Sequence, residues 1–369
     1  KLQILKGEKM LEDEIKEKSS KIFRDAYQMS IGELMNIYRD GEMDIHPEFQ
    51  RVFRWTSYQK TKLIESIMLN IPIPSIFVSQ NEEGIWDVID GVQRLSTIFQ
   101  FTGLFKDDEE NITDPLILEK TDYLPSFENM TWQTGKKQFT REQKIGFKRA
   151  RIDVIIVKKE SDPNTKYELF QRLNTGGTQL SDQEVRNCLM IMTDRDFYKK
   201  VLELSDYHYF NNCVPITDRK EDEQFKMELV LRAQIACQTE IEILRTYTDL
   251  SELLDKETIK LASSIDKINE FSPKFEQIFG KLSSALGENS FKRYEDNKFK
   301  GAFLVSAYQC IVSGAILNFE SFIGLSDDDL KVKIQKLYQH SEFIENMKPG
   351  ARAIPRFISL TNLGKDYFE

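Results

Sequence analysis

Asp90, Gly91, Gln93 and Arg94 fall within five positions of "WDVIDGVQRLSTIFQF", Trp86 to Phe101. An acid, a glycine, an amide and a cation where a strand turns into a helix have a definite chemical use. The start of a helix exposes free backbone N–H groups that carry partial positive charge, and such an end accepts phosphate. Gly91 permits close backbone approach. Arg94 offers a planar fork that donates two parallel hydrogen bonds to an anion, and Gln93 shares its helical turn. Asp90 can hold Arg94, bind Mg²⁺ or accept a proton. A plain strand–turn–helix with a capping Asp and a surface Arg satisfies the same spacing, because Asp-Gly turns are common.

Three other stretches hold residues of this kind. "FQRVFRW" carries Gln50, Arg51, Arg54 and Trp55. It suits a second anion clamp or a base-stacking platform, and equally a loop held to the core by cation–π packing. "FQRLNTGGTQLSDQE" places Arg172 and Asn174 before Gly176 and Gly177. Asn174 can ligate a cation or a phosphate-bound water, with backbone N–H groups turned to a ligand. A helix C-cap running into the next N-cap gives the same pattern. "TDRKEDEQFKMELVLR" reads as a solvated helix start. Walker, dinucleotide-binding, zincin and nucleophile-elbow motifs are absent from the sequence.

The elements that must position these groups follow from periodicity. Ser30 with Glu33 caps a short helix that Gly41 ends. Pro47 biases "IHPEFQRVFRW" toward an extended loop. "TSYQKTKLIESIMLN" is an amphipathic helix with Leu63, Ile64, Ile67 and Met68 on one face. "SIFVSQ" and "IWDVID" are strands of a hairpin turning at Gly84. The helix after Gly91 turns Leu95, Ile98, Phe99 and Phe101 or Thr102 inward. Residues 106–140 read as a long insertion loop with small local elements. "RIDVIIVKK" is a strand whose apolar middle suggests burial on both faces. "NTKYELFQRLN" is a helix, and Ser181 with Glu184 caps the next one. Beyond about residue 192 the pattern is helical, with no strand-like alternation of useful length.

Composition bounds the rest. The chain has 369 residues, 40% hydrophobic and 30% charged, with 25 Phe, so two globular domains are expected. A net charge of −9 argues against a broad electrostatic grip on nucleic acid. A local patch of Lys136, Lys137, Arg141, Lys144, Lys148 and Arg151 can still meet DNA. Cys188, Cys213, Cys237 and Cys310 are scattered, as are His46, His208 and His340, which argues against a zinc site and suits a reducing cytoplasm. The apolar runs stay short of the roughly 18 residues needed to span a bilayer, and the charged first residues lack a signal-peptide core. The expectation is a cytoplasmic protein without membrane partners.

Taken together, "HPEFQRVFRW", "IDGVQRLSTI" and "FQRLNTGGTQLSDQEVRN" resemble the bacterial domain of unknown function 262 family, the N-terminal domain of GmrSD-type restriction proteins. The helix "YQKTKLIESIMLNIPIPSIFV" resembles the pattern between the first two motifs, and "MELVLRAQIA" resembles the family's helical extension. The likeness covers roughly residues 28–190. It implies an α+β fold with a ParB/sulfiredoxin-like small mixed sheet and helices, followed by an all-helical domain. The expected divisions are a charged N-terminal helix or lead-in over 1–27, the ParB/sulfiredoxin-like nucleotide-binding domain over 28–191 and the helical domain over 192–369.

The resemblance also implies roles. Asp90, Gly91, Gln93 and Arg94 match the family's Asp-Gly-Gln-Gln-Arg signature, Gln50 and Arg51 its early Gln-Arg pair, and Asn174 the Asn of its third motif. Val92 stands where the family usually has Gln, which bears on hydrolysis more than on binding. The expected activity is binding and Mg²⁺-dependent hydrolysis of an NTP in restriction or anti-phage defence. Arg94, Arg51, Gln50, Gln93, Gly91, Arg172 and Asn174 would bind phosphates, Asp90, Arg94 and Asn174 would act in hydrolysis, and Asp90 would meet the metal. Two alternatives remain: a non-catalytic nucleotide or modified-DNA sensor that signals to a partner nuclease, and a DNA nuclease or nickase in its own right. The resemblance implies a separate nuclease subunit or domain as partner, since His208 and His340 lack the cluster such a nuclease needs.

Overall fold

The structure is a computed structural model that describes residues 24–45, 55–81, 83–107, 110–158, 181–222, 224–348 and 352–369. The chain divides into two compact units, Lys1–Gln179 and Leu180–Glu369.

The first unit is a mixed five-stranded sheet with helices. In chain order it runs β1 (Arg24–Ser30), α1 (Ile31–Arg39), β2 (Met43–Asp44), α2 (Ser57–Met68), β3 (Ile76–Gln80), β4 (Trp86–Asp90), α3 (Val92–Thr102), β5 (Met130–Thr131), β6 (Lys137–Gln138), α4 (Arg141–Arg149) and β7 (Arg151–Val157). The strand order is β1-β7-β3-β4-β2. β1 pairs antiparallel with β7, and β7 pairs parallel with β3. β3 and β4 form the antiparallel hairpin, with β2 parallel beyond it. Gly84 takes φ +87° in the hairpin turn, where the Asn81 side chain accepts from the N–H of Ile85 at 3.0 Å.

The start of the sheet corrects one expectation. The sequence assigns 1–27 to a lead-in, yet β1 begins at Arg24. Four of its first five residues are exposed, so it lacks the apolar alternation that marks a half-buried strand. β7 lies between β1 and β3, and its apolar stretch, residues 154–157, is largely buried on both faces as expected, while Arg151 and Asp153 at its start are exposed.

Helix starts follow their caps. Ser30 accepts from Glu33 N–H at 3.2 Å, and Thr56 with Gln59 forms a full capping box on α2. The insertion after α3 is anchored rather than loose. Phe101 meets Trp132, Phe139 and Phe147 edge-on at 5.0–5.7 Å. Glu65 of α2, 1% exposed, accepts from the Thr121 hydroxyl and pairs with Lys62. Thr61 accepts from the backbone N–H of Glu119 at 3.1 Å. These bonds fasten the insertion along α2.

The second unit is built of helices: α5 (Asp182–Thr193), α6 (Arg195–Asp206), α7 (His208–Cys213), α8 (Phe225–Gln238), α9 (Leu250–Ala262), α10 (Ile265–Ala285), α11 (Val305–Leu317), α12 (Asp327–Leu337), α13 (Ser341–Asn346) and α14 (Ala353–Phe368), with shorter turns between. Its core is aromatic: Phe210, Phe275, Phe279, Phe291 and Tyr308 are all buried and meet edge-on or tilted. α11 and α14 touch backbone to backbone, since a Cβ on Gly314 would overlap Gly364 O and one on Gly364 would overlap Cys310 O. It is not all-helical. β8 (Arg293–Glu295) and β9 (Lys298–Lys300) form a small hairpin, with Tyr294 against Phe299 at 4.9 Å. Three-residue strands are too short to show as alternation. The expected boundary at 191 compares with the division after Gln179, because α5 packs on α6, α8 and α9.

Candidate functional site

The turn from β4 into α3 is built by a bulge and a left-handed glycine. β3 and β4 pair regularly from Gln80↔Trp86 to Val78↔Val88, then slip, so Asp90 faces Phe77. One extra residue in β4 re-aims the strand's last side chain. Gly91 follows at φ +100°, ψ 10° as the N-cap of α3, with no side-chain cap on that helix end. A Cβ on Gly91 would overlap Ile76 Cδ1, and Ile76 is fully buried. Glycine is therefore required twice over, by φ and by space.

Arg94 is almost buried, 9% exposed. Its Nη2 donates to Asp90 Oδ2 at 2.8 Å, and its Nη1 donates to the carbonyls of Pro74 and, at 3.1 Å, Ser75. The guanidinium thus ties the start of β3 to the start of α3. Three of its five N–H groups face protein acceptors. The Asp90 side chain is 42% exposed, so one carboxylate oxygen stays near solvent at the mouth of the turn.

Gln93 Oε1 accepts from Trp55 N–H at 3.4 Å, a long bond that links the helix start to the residue following "FQRVFR". Thr97 donates to Gln93 O at 2.7 Å, and Lys60 of α2 donates to Gln100 at 2.8 Å. Val92 is partly buried and packs against the unit's core. An apolar side chain there leaves Asp90, Gly91 and Arg94 in place.

Of the expected site, Asp90, Gly91, Gln93 and Arg94 come together on one turn. Gln50, Arg51, Arg54, Arg172 and Asn174 lie outside the described residues, as do Gly176 and Gly177. The carbonyls of Pro74 and Ser75 are partners the sequence reading missed. Backbone acceptors carry no residue-type signal, and only "IPIP" marks the chain there as extended.

Mg²⁺ is commonly held by one or two carboxylates together with substrate phosphates. Asp90 fits the one-carboxylate mode through the oxygen that Arg94 does not engage. Among the described residues no group of three or more His, Cys, Asp or Glu could hold a metal by itself.

The third motif and the fourth stretch yield something else, a buried polar network in the second unit. Ser181 and Glu184 form the expected capping box on α5. Arg186, 1% exposed, pairs with Glu228 at 2.5 Å and Asp255 at 3.2 Å, and donates to Gln183 at 2.9 Å. Asn187 donates to Gln224, and Glu228 also pairs with Arg232 at 2.7 Å. The fourth stretch is therefore solvated only at its beginning, because Gln224 and Glu228 turn inward onto α5. A charge run read alone does not show which acid has a buried partner.

A positive surface lies on α4 and its flanks. Residues 136–151 contain seven cations and one acid. Lys136, Lys137, Arg141, Lys148, Arg149 and Arg151 are exposed. Lys144 and Lys148 lie over the Trp132 ring at 5.5 and 6.0 Å. None of the seven forms an ion pair among the described residues.

Residues 31–191 match the family described as GmrSD restriction endonuclease, N-terminal domain. No curated protein and no solved structure matches the chain.

Proposed function

With residues 31–191 a GmrSD-type N-terminal domain, a family that points to restriction or anti-phage defence, we propose that this chain binds a nucleotide with its phosphates at the Gly91 turn. One observation carries the reading: a glycine-opened, uncapped helix start with a clamped arginine and a half-exposed carboxylate beside it. The backbone N–H groups after Gly91 hold the phosphate oxygens. Arg94 contributes charge from behind and keeps the turn rigid, since its fork is already spread over Asp90, Pro74 and Ser75. Mg²⁺ held by Asp90 and the phosphates would neutralise charge on the nucleotide and orient a water for hydrolysis. Gln50, Arg51, Arg172 and Asn174 complete the phosphate contacts in this reading.

A second reading is supported by the Asp90–Arg94 pair. A carboxylate that bonds its own arginine is a poor general base, which favours a sensor that binds without turnover. Titration with an NTP panel, alongside phosphate release with and without Mg²⁺, separates the two. Binding with phosphate release supports hydrolysis, binding without release supports the sensor, and no binding at all removes the nucleotide site.

The exposed cations of α4 and its flanks, which form no ion pair among the described residues, support DNA contact by the same unit, through phosphates rather than bases. DNA binding that does not weaken as salt rises would count against it.

A further inference from the structure

The five-stranded sheet turns one face to the core of the first unit. Met29, Ile152, Val154, Ile76, Val78 and Val88 alternate onto it. The opposite face is closed at one end, where Phe77, Ser79 and Val157 are buried. At its other end that face is open and polar. Gln28 of β1 pairs with Asp153 of β7, and both are exposed. Ile155, two residues on from Asp153, pairs with Phe77 of β3, and Phe77 pairs with Asp90 of β4. Paired residues share a face, and so do residues two apart on one strand. Gln28, Asp153 and Asp90 therefore stand on one face at one end of the sheet. Gly91 opens α3 at that same end.

Asp153 holds nothing in place. Among the described residues its carboxylate forms no hydrogen bond or ion pair, not even with Arg151 two residues earlier on the same face, and the Gln28 side chain forms no hydrogen bond. Asp90, in contrast, is committed to Arg94. Aspartate is depleted in strands, and β7 lies between two others, so an acid there weakens the sheet without a structural return. Charge decides what can lie over it. A carboxylate repels phosphate, and it accepts hydrogen bonds from hydroxyls. Strands sit about 4.8 Å apart, so β7 is two spacings, roughly 10 Å, across the sheet from β4. With phosphates at the uncapped start of α3, the portion of a nucleotide that extends to Asp153 is the neutral sugar.

We infer that Asp153, with Gln28 beside it, receives the ribose hydroxyls of the nucleotide, so that the site selects ribonucleotides over deoxyribonucleotides. The 2′- and 3′-hydroxyls donate to the two carboxylate oxygens, and the Gln28 amide flanks the sugar. Dinucleotide-binding sheets divide the work in the same way, with phosphates on a helix N-terminus and an acid on a neighbouring strand for the ribose. The inference rests on the phosphate reading of the Gly91 turn and is the same whether the nucleotide is hydrolysed or only held.

The test is calorimetric titration of the full chain, with Mg²⁺, using the four ribonucleoside triphosphates, their 2′-deoxy counterparts and inorganic triphosphate. In wild type the ribonucleotide that binds tightest is expected to exceed its deoxy counterpart by about tenfold, the worth of one hydrogen bond to a charged group. Asp153→Ala, at an exposed position, should keep the wild-type denaturation midpoint and bring that ratio close to one. Its affinity for inorganic triphosphate should stay the same or rise, because a negative charge has been removed. Asp153→Asn, which still offers one acceptor, should fall between. Equal binding of ribo and deoxy forms by wild type overturns the ribose assignment while leaving the phosphate site standing. So does a ratio that Asp153→Ala leaves unchanged. If neither inorganic triphosphate nor any nucleotide binds, the phosphate site and the ribose assignment fall together.

Discussion

Asp90 and Arg94 meet at 2.8 Å four residues apart, and the arginine reaches past the acid to two backbone carbonyls of the segment leading into the neighbouring strand. The pair is a brace before it is anything else. Arg94→Lys keeps the charge but replaces a fork with a point, and one ammonium cannot span acceptors on two elements. The expected loss is about 1–3 kcal/mol of stability, from weakened charge-assisted bonds in a nearly buried setting. Chemical denaturation checks it. Under the phosphate reading Arg94→Lys also lowers nucleotide affinity, measured by titration below the melting transition. An unchanged denaturation midpoint would show that the carbonyl contacts contribute nothing.

Gly91 and Gly41 separate two reasons for glycine. Both have positive φ, +100° and +76°. Only at Gly91 would a Cβ overlap a neighbour, Ile76, whereas nothing lies within 4 Å at Gly41. Gly41→Ala is expected to cost about 1 kcal/mol, the conformational part alone. Gly91→Ala should cost more, about 1–3 kcal/mol, because a buried isoleucine must also move. Equal losses at the two positions would mean that Ile76 yields freely.

Much of this site was legible because it is local. Ser30, Gly84, Gly91 and Ser181 mark their turns and caps by residue type. The core face of α3 reads directly from Leu95, Ile98 and Phe99. What stayed hidden depends on partners remote in sequence. β1 lacks a period of its own, and becomes a strand because β7 offers an edge. Trp132 and Phe139 look like loop residues until Phe101 lies beneath them. Arg94 looks free on spacing alone. Its carbonyl partners sit in the extended segment before β3, about twenty residues earlier, and carry no signature.

Glu65 gives a pH prediction. Burial pushes its carboxyl up, but the Lys62 ammonium and the Thr121 hydroxyl outweigh it and hold the group below its ordinary 4.5. A depressed folded-state value adds stability above the unfolded value, and that part is lost as pH falls through the folded one. Wild type should therefore exceed Glu65→Gln in stability near neutrality. The difference should shrink as pH drops below about 4.5. Denaturation of both proteins from pH 7 to pH 3 follows it. A constant difference across that range would place the benefit in packing instead.

Arg186 is the most exposed to error in the second unit, because it is fully buried among two acids. Arg186→Ala leaves Glu228 with Arg232 alone and Asp255 without its guanidinium. Removing one partner of a buried pair costs about 3–5 kcal/mol. Helical signal from the second unit should melt earlier by circular dichroism. Removing a surface pair such as Lys199–Asp196, at 3.9 Å and largely exposed, should change little.

The cations of α4 make a prediction about salt. If Arg141 and Lys148 each neutralise a DNA phosphate, each releases counterions on binding. The slope of log affinity against log salt should then fall by about 1 for each residue replaced, and by about 2 in Arg141→Gln/Lys148→Gln. Arg141 is exposed with no ion-pair partner among the described residues, so Arg141→Gln should leave stability unmoved, and Lys148, exposed at the far reach of the Trp132 ring at 6.0 Å, should cost little. Lys144 serves as the internal contrast. It is half-buried over Trp132, so Lys144→Gln should lose some packing as well as charge. Fluorescence anisotropy with one duplex at four salt concentrations gives all the slopes. Slopes identical to wild type would dissociate this surface from DNA, however positive it is.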